Sequence, residues 1–290
     1  MKMHLLIIDP QNDFCDPVGS LYVPGAEDDM ARLASFMERT RSKIDDIHVT
    51  VDSHHLFDIA HPLYWKDTEG NHPQPFTIIT AADVRSGKWR ATIESEKKWA
   101  LKYVESLEGQ ANKFPLCVWP PHCLIGSAGH SLFGPVYDQI LFWETEQVAI
   151  ADIVTKGSNY KTEHYGGLMA EVPDPDDPST QLNTGLIQTL QVADLIVVAG
   201  EALSHCLATT LTQIIDNFGP DNAKKIVILE DCSSSVPGFE SAGDDFIKYA
   251  KDNGVRFANS MTGFESAGDD FIKYAKDNGV RFENLMTFML

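Results

Sequence analysis

Asp194-Leu-Ile-Val-Val-Ala-Gly-Glu-Ala-Leu-Ser-His-Cys206 is an apolar run, a glycine break and then a thiol that opens a helical pattern. Three other apolar runs also end on a reactive group. Leu5-Leu-Ile-Ile8 leads into Asp9, Ile47-His-Val-Thr-Val51 into Asp52-Ser-His54, and Val148-Ala-Ile-Ala-Asp-Ile-Val-Thr155 into Lys156. Short apolar runs alternating with helical patterns predict parallel strands in an α/β sheet. In such sheets ligands bind beyond the carboxyl ends of the strands. Four strand ends would then deliver a carboxylate, a metal-ligand pair, a lysine and a thiol to one rim.

The chain has 290 residues, enough for one large domain or a domain with insertions. Its net charge of −19 argues against nucleic acid and anionic membranes as partners, because both need positive patches. No stretch reaches the eighteen or so apolar residues of a membrane helix. The apolar start, Met1 to Ile8, is too short for a secretion signal. Five cysteines (15, 117, 123, 206 and 232) are an odd number at irregular spacing, without a C-x-x-C pair. That pattern predicts reduced thiols and a cytoplasmic protein.

Helices are predicted over Asp28–Ser42, Gln181–Gln191 and His205–Asn217, and further strands over Leu195–Val198 and Lys225–Leu229. Residues 62–117 are too long for a simple connection. They read as an insertion with a helical pattern around Ala91–Leu107, either folding over the rim as part of a pocket or forming a surface excursion. Glu171–Ser179 is rich in proline and aspartate but lacks the glycine and closing glutamate of a calcium loop, so it reads as a solvated loop. Gly238–Phe257 recurs unchanged at Gly263–Phe282, each copy a helix, an Asn-Gly stop and a short strand. The repeat marks a recent tandem duplication or an error of sequence assembly. It predicts a main domain over 1–258, with an additional segment over 259–290.

Taken singly, the rim residues are ordinary. An aspartate or lysine at a strand end is usually the first solvated residue of a loop, and a lone cysteine is usually a core thiol. The setting of Cys206 is more specific. A helix start favours the thiolate and predicts a pKa lowered from about 8.5 toward neutrality. The glycine-led turn offers backbone N–H groups for an oxyanion, and Asp9 and Lys156 are the candidate base and cation. Asp52 and His54 suit Zn²⁺, Fe²⁺ or Mn²⁺. Of the third ligands, His122 in Trp119-Pro-Pro-His-Cys123 ranks first, His61 follows, and His55 and His72 are weaker.

These stretches carry a family resemblance. The chain resembles the nicotinamidase/pyrazinamidase branch of the isochorismatase-like cysteine hydrolases, through Ile7-Ile-Asp-Pro-Gln-Asn-Asp-Phe14, Asp52-Ser-His54, His61, Trp119-Pro-Pro-His-Cys-Leu-Ile-Gly126, Thr155-Lys-Gly157 and Gly200–Cys206. The resemblance implies a three-layer, Rossmann-like sandwich around a mainly parallel sheet. It implies a triad of Cys206, Asp9 and Lys156, and a divalent metal, Zn²⁺ before Fe²⁺ or Mn²⁺, held by Asp52, His54 and His122 with His61 nearby. It further implies an oxyanion hole from the N–H groups of Ala202 and Cys206 beside a cis Glu201–Ala202 peptide. Phe14 and Trp119 match positions that flank an aromatic substrate, although ordinary core packing would also account for them. The implied reaction is hydrolysis of nicotinamide or a similar heteroaromatic amide. The alternative is a related amidase acting on a carbamoyl or ureido compound. Relatives are often oligomeric, so the resemblance also implies a homo-oligomer. Two positions depart from the pattern: Glu201 replaces an apolar residue, and Ser204 stands where an acidic one is common.

Overall fold

A computed structural model describes residues 1–110 and 113–261. The chain begins with β1 (Met3–Ile8), α1 (Asn12–Cys15), α2 (Ala26–Thr40) and β2 (Asp46–Asp52). Next come β3 (Trp65–Lys66), β4 (Thr77–Ile79), α3 (Ala81–Arg85), β5 (Arg90–Ala91), α4 (Lys97–Glu108) and β6 (Leu116–Val118). Then follow α5 (Gly134–Gln147), β7 (Asp152–Lys156), α6 (Thr184–Gln191), β8 (Leu195–Gly200) and α7 (Ala208–Phe218). The last elements are α8 (Pro220–Ala223), β9 (Ile226–Leu229), α9 (Glu240–Asp252) and β10 (Arg256–Ala258).

Six strands form one sheet in the order β10-β9-β8-β1-β2-β7, with every neighbouring pair parallel. The central strands β1 and β8 are buried along their whole length. That is why, His4 of β1 apart, they read as continuous apolar runs rather than alternating ones. Helix α2 packs with α5, while α7 packs with α6 and α9, giving helical layers on either side of the sheet. The chain runs outward from β1 to β2 and β7, then returns to place β8 on the other flank of β1. The order therefore reverses between β1 and β8, where this fold class opens a binding crevice.

The third apolar run begins its strand later than its sequence predicts. Val148 ends α5 in a left-handed conformation (φ 52°) and is exposed, so β7 starts only at Asp152. Helix α5 itself went unpredicted. Val136, Ile140 and Trp143 are buried at helical spacing, but Tyr137, Leu141 and Phe142 on the other side are exposed. An apolar residue on every side blurs the amphipathic contrast that identifies a helix.

Residues 62–117 supply most of a second apolar cluster, with Tyr64, Trp65, Tyr103, Val104 and Leu116 packed beside Ile59, Val118 and Val172. Two short antiparallel pairs, β3 with β5 and β4 with β6, frame it. The Glu171–Ser179 loop is less solvated than predicted. Glu171 is buried against Lys113 at 2.6 Å, and buried Asp174 accepts from Asn159 Nδ2 at 3.2 Å. The first repeat copy supplies α9 and β10, which close the sheet. The second copy, 263–282, lies outside the described residues. No helix among the described residues is long and apolar enough to cross a membrane.

Candidate active site

Four adjacent strands, β8, β1, β2 and β7, bring the predicted side chains to one edge. β1 ends into Asp9, which turns away from the sheet with φ 43°. β8 ends on Gly200 (φ 119°), where an added Cβ would stand 2.1 Å from the Ile8 carbonyl oxygen. Only glycine lets the two strand ends lie this close, which draws the following turn, with Cys206, against Asp9. On the other side, β2 and β7 run in register so that Asp52 faces Lys156.

Lys156 is the hub of this cluster. Its Nζ lies 2.9 Å from Asp9 Oδ2, 3.1 Å from Asp52 Oδ1 and 3.7 Å from Cys206 Sγ, and it donates to the His164 carbonyl at 2.8 Å. Thr50 Oγ1 donates to Asp9 Oδ1 at 2.5 Å. The Cys206 sulfur thus lies in the same buried group as Asp9, joined to it through the Lys156 ammonium. Asp9, Asp52, Lys156 and Cys206 are all buried.

Burial sets their protonation. It would depress the Lys156 ammonium, but Asp52 and Asp9 hold it well above its usual value. Burial raises the Asp9 carboxyl, against the opposing pull of Lys156. The Cys206 thiol does not show the predicted lowering. Cys206 sits in a single wide turn, Leu203–Leu207, ahead of α7, and burial pushes its thiol well above the usual value despite Lys156. Loss of water outweighs the helix end here, because a thiolate in this pocket would also face Asp9 and Asp52. Burial thus raises both the Cys206 thiol and the Asp9 carboxyl.

Beside this cluster, Asp52, His54 and His122 place one ligand atom each within 4.8 Å of one another, and all three are buried. His54 Nδ1 lies 3.0 Å from Asp58 Oδ2, and its Nε2 faces Asp52 Oδ2 at 3.1 Å. His122 Nδ1 lies 2.9 Å from the Pro120 carbonyl, which leaves its Nε2 facing the same oxygen at 3.5 Å. A carboxylate or carbonyl behind each imidazole is the usual arrangement of metal-binding histidines. Asp52, Asp58 and Glu163 surround His54 and, against its burial, drive its pKa well up. Such a surplus of buried negative charge calls for a cation, so the donor set fits a divalent metal. His61 lies beside this group, against the rings of His54 and His122. Its Nε2 meets His122 Nδ1 at 3.3 Å and its Nδ1 the His55 carbonyl at 3.0 Å.

Cys206 and the metal-type group open onto one cavity of about 370 Å³, a volume that includes open solvent at its mouth. Phe14 and Trp119 line it, as do Tyr165, His205, Glu163 and Val236. Among the described residues, none from 62–117 lines this cavity. The insertion instead supports the wall from behind. Phe114 stacks on His205 at 4.6 Å, and Tyr103 Oη accepts from the Glu163 N–H at 3.0 Å. Glu163, Tyr165, His205 and Asp58 were missed in the sequence. The first two lie in Thr162-Glu-His-Tyr165, just past Lys156, where a carboxylate and an aromatic residue in a loop were the available signal.

The Glu201–Ala202 peptide is cis. Burial disfavours a charge on Glu201 beside the turn. Its Oε2 accepts from Ser234 N at 3.0 Å, and burial, with Asp29 nearby, raises its carboxyl well above the usual range. Ser204 accepts from Val236 N at 3.0 Å and pairs with His205 Nδ1 at 2.9 Å. His205, held neutral with its pKa lowered to about 4 by burial, has no protein partner at Nε2.

Comparison with known proteins agrees with this geometry. No protein-family model matches the chain. The nicotinamidase of Saccharomyces cerevisiae is 26% identical over 208 residues, which cover 71% of this chain and 78% of that protein. The structure of yeast nicotinamidase Pnc1p aligns with a TM-score of 0.59 at 19% identity, covering 88% of this chain and 98% of its own. The pyrazinamidase of Pyrococcus horikoshii in complex with zinc aligns with a TM-score of 0.53 at 14% identity, covering 89% and 99%. The chain thus has the fold of the nicotinamidase and pyrazinamidase structures.

Proposed function

We propose that this chain is an amidase that hydrolyses nicotinamide, or a similar heteroaromatic amide, to the carboxylic acid and ammonia through a thioester on Cys206. One observation carries the reading. Lys156 joins Asp9, Cys206 and Asp52 within one buried contact network beneath a pocket walled by Phe14, Trp119, Tyr165 and His205. The sequence similarity to a nicotinamidase supports the substrate class.

In the proposed reaction Asp9 takes the Cys206 proton as Sγ attacks the amide carbonyl carbon. The N–H groups of Ala202 and Cys206 receive the oxyanion. Asp9 then passes its proton to the departing nitrogen, and ammonia leaves a thioester. A water molecule, deprotonated by Asp9, attacks that thioester and releases the acid, and the proton returns to the thiolate. Each such proton transfer contributes about 10²–10⁴-fold in rate. Burial raises the Asp9 carboxyl, and the Lys156 ammonium opposes that rise.

Asp52, His54 and His122 would hold a divalent metal, Zn²⁺ by donor type. When bound, it supplies a Lewis acid able to take the lone pair of a substrate ring nitrogen. Glu163, whose Oε2 has no partner, would accept a hydrogen bond from water or substrate beside it. The aromatic walls hold the ring flat against the thiol. Five free, buried cysteines support a cytoplasmic site of action.

The test is ammonia release from nicotinamide by the wild-type chain and by Cys206→Ala, before and after chelation. Release by the wild type, lost on mutation and on chelation, is the expected result. A folded, metal-loaded wild type that releases no ammonia would overturn the substrate assignment.

A further inference from the structure

The opposite, amino-terminal end of the sheet carries a second set of ligand-type side chains. His4 on β1 stands in register with Asp46 on β2, and His48 on β2 with Asp152 on β7. Residues two apart on a strand share a face, so Asp46 and His48 point the same way and His4 joins them. His4 Nδ1 lies 3.1 Å from His48 Nε2, and Asp46 Oδ2 lies 3.8 Å from that same nitrogen. All three ligand atoms fall within 4.8 Å of one another.

Asp152 orients the central ring. Its Oδ2 lies 3.1 Å from His48 Nδ1, which leaves His48 Nε2 on the side of His4 and Asp46. This repeats at the amino end the pairing that Asp58 makes with His54 at the carboxyl end. Both rings are buried, but the side chains of Asp46 and Asp152 are 35% and 51% exposed, which leaves solvent access on that side. Buried imidazoles in contact, with a carboxylate at the open edge, form a cation site of nitrogen and oxygen donors.

We propose that His4, His48 and Asp46 bind a divalent transition-metal ion, with Zn²⁺ the best match, Asp152 as the outer partner of His48, and water completing the shell. Ligand atoms around tetrahedral Zn²⁺ stand about 3.3 Å apart. The two histidines are already near that spacing, and rotation of the half-exposed Asp46 side chain closes the rest. The ion would tie β1 to β2 at the end of the sheet remote from Cys206. It is independent of the reaction proposed above.

The experiment counts Zn²⁺ bound per full-length chain, by mass spectrometry of the metal after loading and exhaustive dialysis. Wild type is compared with His48→Gln, Asp46→Asn and Asp52→Asn. The expected result is an ion retained by Asp52→Asn but lost from His48→Gln, with Asp46→Asn weakened at least tenfold in competition with a chelator. Retention of every ion by both His48→Gln and Asp46→Asn would overturn the proposal. So would a wild type whose bound Zn²⁺ is lost entirely in Asp52→Asn. If His48→Gln fails to fold, Asp46→Asn, at a half-exposed position, decides the matter alone. The count does not depend on whether any amide is hydrolysed, so its failure is separable from failure of the proposed function.

Discussion

Removing the Lys156 ammonium would leave Asp9 and Asp52 in a buried pocket with no cation between them. Breaking a buried pair from one side typically costs about 3–5 kcal/mol, because the remaining charge is desolvated and unpaired. Lys156→Met should therefore lower stability by about that much in a urea titration, and it should abolish hydrolysis. Lys156→Met together with Asp9→Asn should recover part of the stability and none of the activity. Recovery of activity in the double variant would contradict the roles given to both residues. The same reasoning explains why Cys206 needs Asp9. With burial holding the thiol protonated, nucleophilic attack depends on a base in contact with it.

At the scale of elements, the pocket wall belongs to the sheet and its loops, and the insertion braces it. Helix α4 contributes Tyr103, whose hydroxyl accepts from the Glu163 N–H, and Trp99, whose indole donates to the Lys161 carbonyl at 2.7 Å. Phe114 reaches from the same excursion to stack on His205. Phe114→Ala should let His205 swing and so weaken substrate positioning. We expect KM for nicotinamide to rise by about three- to tenfold, in line with an aromatic contact of about 0.5–1.5 kcal/mol, with kcat changed less. Steady-state kinetics separates the two. A pure loss of kcat would place His205 in the chemistry instead of the wall.

Across the whole molecule, burial has pushed several carboxyl groups the same way, and Glu201 is the clearest. Its folded-state pKa is raised, so the folded chain holds this proton more tightly than the unfolded chain does. The resulting stability is complete below the unfolded value of 4.5 and is lost as pH rises toward the folded value. Glu201→Gln cannot titrate and keeps an acceptor for the Ser234 N–H. Its denaturation midpoint should fall less than that of wild type between about pH 5 and 8. Parallel pH curves for the two proteins would mean that Glu201 is ionised in the folded state.

Much of this was legible in the chain itself. Local apolar runs, read with the reactive residue at each end, pointed to a parallel sheet, and the ordered motifs pointed to Asp9, Asp52, His54, His122, Lys156 and Cys206 as candidates. Those readings were possible because a strand buried on both faces must be apolar throughout, and its end must be where polarity begins. Other features depended on residues far apart in sequence. Helix α5 hid behind its exposed Tyr137, Leu141 and Phe142, and Glu163, Tyr165 and His205 became pocket walls only when their segments packed together. The protonation of Cys206 was beyond local reading as well. A helix end acts through neighbouring residues, whereas desolvation depends on everything the fold packs around the thiol, and in this protein desolvation is the larger effect.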